Sequence, residues 1–100
     1  MVQNLGIKED RIAEFCRKHH IFKLSLFGSV LRSDFRPDSD VDVLVRFDPA
    51  RPVGFRIFDM EEELSNMFGG RKVDIVNEKF LNRHLRSRIL GEAQVQYAEG

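Results

Sequence analysis

One hundred residues suffice for a single compact core, so residues 1–100 are expected to form one domain with little room for a second substrate-binding lobe. Hydrophobic residues make up 42% and charged residues 32%, and Lys+Arg and Asp+Glu both count 16, so bulk charge recruits neither nucleic acid nor a membrane surface. Cys16 has no second cysteine to pair with, and the longest apolar run, Val43-Leu44-Val45, falls far short of the roughly 20 residues a membrane span needs. The opening MVQNLGIKEDR holds no apolar stretch of signal-peptide length, and a reducing cytoplasm is the expected setting.

In chain order, Ile12, Phe15, Cys16 and His19 recur at the spacing of one helix face, predicting a helix over 8–20. Residues 21–27 (IFKLSLF) are short and apolar and stop at Gly28, as a strand would. Gly28-Ser29 then opens a short helix through about Asp34, and Arg36 to Ser39 turn the chain into the next strand. In that strand, 41–47, Val41, Val43, Val45 and Phe47 face one way and Asp42, Leu44 and Arg46 the other. A Pro-containing loop follows. Ile57, Met60, Leu64 and Phe68 then mark a helix over about 54–68, ended by Gly69-Gly70. Residues 71–76 read as a third strand with Asp74 opposite in sense to Val73 and Ile75, 78–90 as a helix, and Val95 and Tyr97 as a last short strand. The pattern predicts an α/β fold, with two separate strands carrying acids that neighbouring positions in a sheet would bring together.

Those acids give the chain its chemistry. Asp40 and Asp42, two apart on a strand, share a face, and paired carboxylates repel unless a cation lies between them. Hard oxygen ligands of this kind suit Mg²⁺ at a phosphate-handling site. Ten residues separate Ser29 from Asp40 in FGSVLRSDFRPDSDVDVLV. The Gly28-Ser29 pair at a helix start offers backbone N–H groups and a hydroxyl to a triphosphate, and Gly28 lets the backbone come close. Arg32, one turn on, is placed to reach a β- or γ-phosphate oxygen. Two Mg²⁺ ions would serve the reacting phosphorus, bridged by Asp40 and Asp42, with Asp74 completing the site and taking the nucleophile's proton. Among the bland alternatives, His84 lies in the basic run RHLRSR, which reads as a solvated helix face, while Phe47, Phe55 and Phe58 are candidates for part of a partner surface.

The order Gly-Ser, spacer, Asp-x-Asp and later Asp resembles the nucleotidyltransferase superfamily typified by DNA polymerase beta. More narrowly it resembles the minimal nucleotidyltransferases, the MNT family, whose form is GSxxRGxxxxxSDxDLxV. Gly28, Ser29, Arg32, Ser39, Asp40 and Asp42 match it, Asp74 and the ILxEAxxxY-like tail (Ile89, Leu90, Glu92, Ala93, Tyr97) agree, and the resemblance spans the whole chain. Ser33 stands where the family usually has Gly, and Val43 where it has Leu. The resemblance implies a small nucleotidyltransferase fold, a mixed β-sheet with helices packed on it. It also implies ATP as substrate, Mg²⁺, and a hetero-oligomer with a HEPN-domain toxin for which the chain is the antitoxin, transferring AMP to a tyrosine. No direct nucleic-acid binding is expected. The competing readings are a noncatalytic antitoxin that masks its partner, and a transferase acting on a small hydroxylated molecule.

Overall fold

The computed structural model describes residues 9–31 and 40–99. Within them run α1 (Glu9–Lys18), β1 (Ile21–Phe27), a 3₁₀ turn (Gly28–Leu31), β2 (Val41–Phe47), α2 (Arg56–Met67), β3 (Val73–Asn77), a second 3₁₀ turn (Glu78–Phe80), α3 (Arg83–Glu92) and β4 (Gln94–Ala98). The strands form one mixed sheet in the order β3-β2-β1-β4. β1 pairs antiparallel with both β2 and β4, whereas β2 and β3 run parallel. A parallel pair needs a crossover, and α2 supplies it.

The alternating valines of β2 put Val41, Val43 and Val45 on the face that meets α1 and α2. They form one buried cluster with Ile12, Phe15 and Cys16 of α1, Leu24 and Leu26 of β1, Met60 and Leu64 of α2, and Ile75 of β3. Each large aliphatic side chain buried there contributes about 1.5–3 kcal/mol. Cys16 is a packing residue: burial pushes its thiol up to about 12, against a smaller opposing pull from Arg17, so it stays protonated and inert.

Simple alternation fails at the start of β1, where Ile21 and Leu24 are both buried. Ile21 pairs with Phe47 and Lys23 with Arg46, so Phe22 is an extra residue in the strand, and the bulge restores both apolar side chains to the core face. On the other face Leu44 is also fully covered, in register between Ser25 and Val76 at the centre of the sheet.

The expected helix over 78–90 is broken in two. Asn77 accepts a hydrogen bond from the Lys79 amide at 3.0 Å and starts the second 3₁₀ turn, and Asn82, in an extended conformation, accepts from the Leu85 amide at 2.8 Å and starts α3. Two asparagine caps five residues apart make two short elements out of one apolar pattern. The predicted extension of the first 3₁₀ turn to Asp34 lies outside the described residues. Among those described, no helix is long and apolar enough to cross a membrane.

Candidate active site

The parallel register of β2 and β3 sets Asp42 directly opposite Asp74, with Val41 opposite Val73 and Val43 opposite Ile75. The two carboxylates therefore stand on adjacent strands and one sheet face, both half-buried, while the flanking valines and Ile75 point into the core. The Val41 amide donates to the Lys72 carbonyl at 2.8 Å, which fixes this register from the first residue of β2. Asp40 lies one residue before β2 and is exposed.

β1 brings the glycine-serine turn to the same place. Its last residue, Phe27, pairs with Asp42, so Gly28 follows immediately beside that acid. Gly28 has φ +78, and a Cβ built there would overlap the Asp42 Oδ2 and stand 3.4 Å from its Cγ. Only glycine meets both demands, a left-handed backbone and a carboxylate where a side chain would be. Ser29 is the next residue of the 3₁₀ turn. Arg32 lies outside the described residues. The structure thus unites Gly28, Asp42 and Asp74, which are far apart in sequence.

Among the described residues, no three His, Cys, Asp or Glu side chains are grouped as they would be around one ion. What the strands offer is a register-matched carboxylate pair with Asp40 nearby in sequence, an all-oxygen donor set. That set fits Mg²⁺, which keeps several waters, takes substrate phosphate oxygens, and needs only one or two protein carboxylates.

One residue at this site went unnoticed in the sequence. Glu61 of α2 accepts a hydrogen bond from the Ile75 amide, 2.8 Å from its Oε2, beside Asp74 on the outer edge of β3. Its signal was its place on the flank of the apolar stripe, four residues after Ile57 and three before Leu64, where a carboxylate reaches past the core. Two residues further along α2, Glu63 holds α1 to α2: Lys18 Nζ donates to its Oε1 at 2.9 Å, and His19 Nε2 lies 2.6 Å from its Oε2. Burial pushes the Glu63 carboxyl up, but the hydrogen bonds and charges of His19 and Lys18 outweigh it and hold the group below its ordinary value.

A cavity of about 710 Å³ opens at the far ends of β2 and β3, among Phe47, Pro52, Ile57, Asn77, Phe80 and Arg86. It includes neither Asp42 nor Asp74, which sit at the starts of the same strands.

The nucleotidyltransferase domain family matches residues 9–95. The chain belongs to that family. It falls among the minimal nucleotidyltransferases, small α/β enzymes with this mixed sheet. The protein adenylyltransferase MntA of Thermococcus cleftensis is 32% identical over 79 residues, which is 79% of this chain and 78% of the relative. A solved structure of a candidate minimal nucleotidyltransferase is 34% identical, covers 86% of each chain and superposes with a TM-score of 0.72. A second solved structure, a tri-AMPylated Shewanella oneidensis HEPN toxin in complex with its MNT antitoxin, matches at 17% identity, 90% of this chain, 69% of that chain and a TM-score of 0.65. At that identity the likeness is one of fold. The minimal nucleotidyltransferase fold is therefore common ground between the chain and both solved structures.

Proposed function

We propose that this nucleotidyltransferase transfers AMP from ATP to a tyrosine of a HEPN-domain toxin and acts as that toxin's antitoxin. The observation that carries the reading is the register that sets Asp42 against Asp74 with Gly28 packed on Asp42. A protein acceptor and a HEPN partner are supported by the adenylyltransferase relative and by the AMPylated toxin complex that shares the fold, and the choice of tyrosine follows the family resemblance.

In this reading the Gly28-Ser29 turn holds the triphosphate with backbone N–H groups and the Ser29 hydroxyl, and Arg32 binds its outer phosphates. Asp40, Asp42 and Asp74 would hold Mg²⁺, which when bound neutralises phosphate charge and acidifies the nucleophile. A tyrosine hydroxyl has a free pKa of about 10, so it needs a nearby acceptor for its proton. Asp74, on the strand beside Asp42, accepts it as the phenolic oxygen forms its bond to the α-phosphorus. The bond from that phosphorus to the β-phosphate oxygen breaks, and pyrophosphate leaves. Gly28, by having no side chain, leaves the space beside the turn that the Asp42 carboxylate occupies.

Mass spectrometry of a co-expressed toxin tests this. AMP adducts on tyrosine are expected with the wild-type chain and none with Asp40→Ala plus Asp42→Ala. Protection of cells by the double mutant equal to wild type would mean that the chain neutralises its partner by masking it.

A further inference from the structure

The geometry points to Glu61 as the positioning residue for Asp74, acting through the backbone of β3. This rests on the proposed role of Asp74. Among the described residues β3 is an edge strand, paired on one side only, with β2. Successive residues of a strand turn their N–H groups to opposite edges. The Ile75 amide meets Glu61 on α2, so it points away from β2, and the main-chain groups of Asp74 on one side and Val76 on the other point toward β2. Glu61 therefore fills the outward donor next to the acid, in a partly buried setting where an unmade hydrogen bond is costly.

This bond does more than close an edge. A carboxylate accepting from an amide is a charge-assisted bond, stronger and more directional than a neutral one. It joins β3 to α2, and α2 is itself anchored by the fully buried Met60 and Leu64 on either side of Glu61 in sequence. The position of β3 is thereby set from both flanks: by the ladder to β2 at Asp74, and by Glu61 at Ile75. The separation of the Asp42 and Asp74 carboxylates depends on how β3 lies against β2, because each acid is fixed to its own strand and they are register partners. With Glu61 gone, β3 keeps its pairing but loses the outer restraint beside the acid. The Gly28 turn proposed to hold the triphosphate follows β1, which β2 separates from β3, so its backbone donors make no direct contact with the Glu61 restraint.

The test compares Glu61→Ala with Glu61→Gln, whose amide oxygen can still accept from Ile75. Three quantities are read: Mn²⁺ affinity by electron paramagnetic resonance, kcat and ATP KM for AMP transfer, and hydrogen exchange at the Ile75 amide. Glu61→Ala is expected to weaken Mn²⁺ binding and lower kcat by about tenfold or more, as outer partners of metal-holding groups do, with ATP KM within about twofold. Its Ile75 amide should exchange faster, and Glu61→Gln should restore most of all three. If Glu61→Ala only melts at lower temperature while kcat and Mn²⁺ affinity stay at wild-type values, Glu61 is an edge cap and the inference is wrong. A Gln variant as impaired as the Ala variant would also overturn it, since the hydrogen bond would then not be the cause. A wild-type chain that neither binds Mn²⁺ nor transfers AMP would remove the role of Asp74 itself, and this positioning role with it.

Discussion

α2 and α3 are helices of 12 and 10 residues in the same chain, yet they are held in different ways. α2 buries Met60 and Leu64 completely and is followed by the buried Phe68, and its glutamates reach β3 and α1. Its first residue has no side-chain cap. α3 is the reverse. It is capped by Asn82 but contains no buried residue, its Leu85 is 42% exposed, and the nearby Phe80 is 79% exposed. Arg86 ties it back by donating to the Glu78 carbonyl at 3.0 Å. A helix of ten residues is marginal without tertiary packing, so α3 depends on its cap and polar ties where α2 depends on the core. The buried core draws on α1, α2 and the strands β1 to β3, and takes no residue from α3.

The widest gap between the two regions should appear when each loses a leucine. Leu64→Ala is expected to cost about 2–5 kcal/mol in urea unfolding, from lost transfer energy and a cavity, whereas Leu85→Ala should stay within about 0.5 kcal/mol. Similar losses at the two positions would break the comparison. On the packed side a single methyl group should also be felt. Gly28→Ala forces a left-handed alanine at about 1–2 kcal/mol and displaces the Asp42 carboxylate, so AMP transfer should fall by up to about a hundredfold while the fold survives, as circular dichroism and single-turnover assays would show.

The α3 side should respond to its cap instead. Asn82→Ala is expected to cost about 1 kcal/mol, and hydrogen exchange should show faster opening confined to residues 83–92. Spread of that opening into β2 or β3 would show that α3 supports the sheet after all.

The smallest effect is the pH dependence of the α1–α2 tie. Glu63 titrates below its ordinary value in the folded chain, so it adds stability above the unfolded carboxylate range. That stability drains away as pH falls from 4.5 through the lower folded value. Glu63→Gln should be less stable than wild type at neutral pH and lose less on acidification through that window, measured by urea midpoints at a series of pH values. A parallel acid limb in the two proteins would remove Glu63 from the account.

Much of this was readable along the chain, for reasons that are local. The bounds of β1 and β2 follow from short apolar runs that end at Gly28 and at the Pro-containing loop, and the α2 stripe follows from 3.6-residue periodicity. The break between the second 3₁₀ turn and α3 was missed because apolar spacing over 80–89 hid the caps at Asn77 and Asn82. The bulge at Phe22 was missed because it depends on what β2 presents opposite.

The sequence by itself singled out the residues proposed here to carry the chemistry: a glycine-serine turn, Asp40 and Asp42 two apart, and Asp74 alone in an apolar strand, each picked out by residue type and spacing. Only the tertiary structure decided that Phe27 lies opposite Asp42, that Asp42 lies opposite Asp74, and that Glu61 closes the edge beside it. Periodicity reports which face a side chain takes on its own strand. Register between strands is settled by core packing and a crossover helix acting over long stretches of chain, and it is register that turns separate acids into one site.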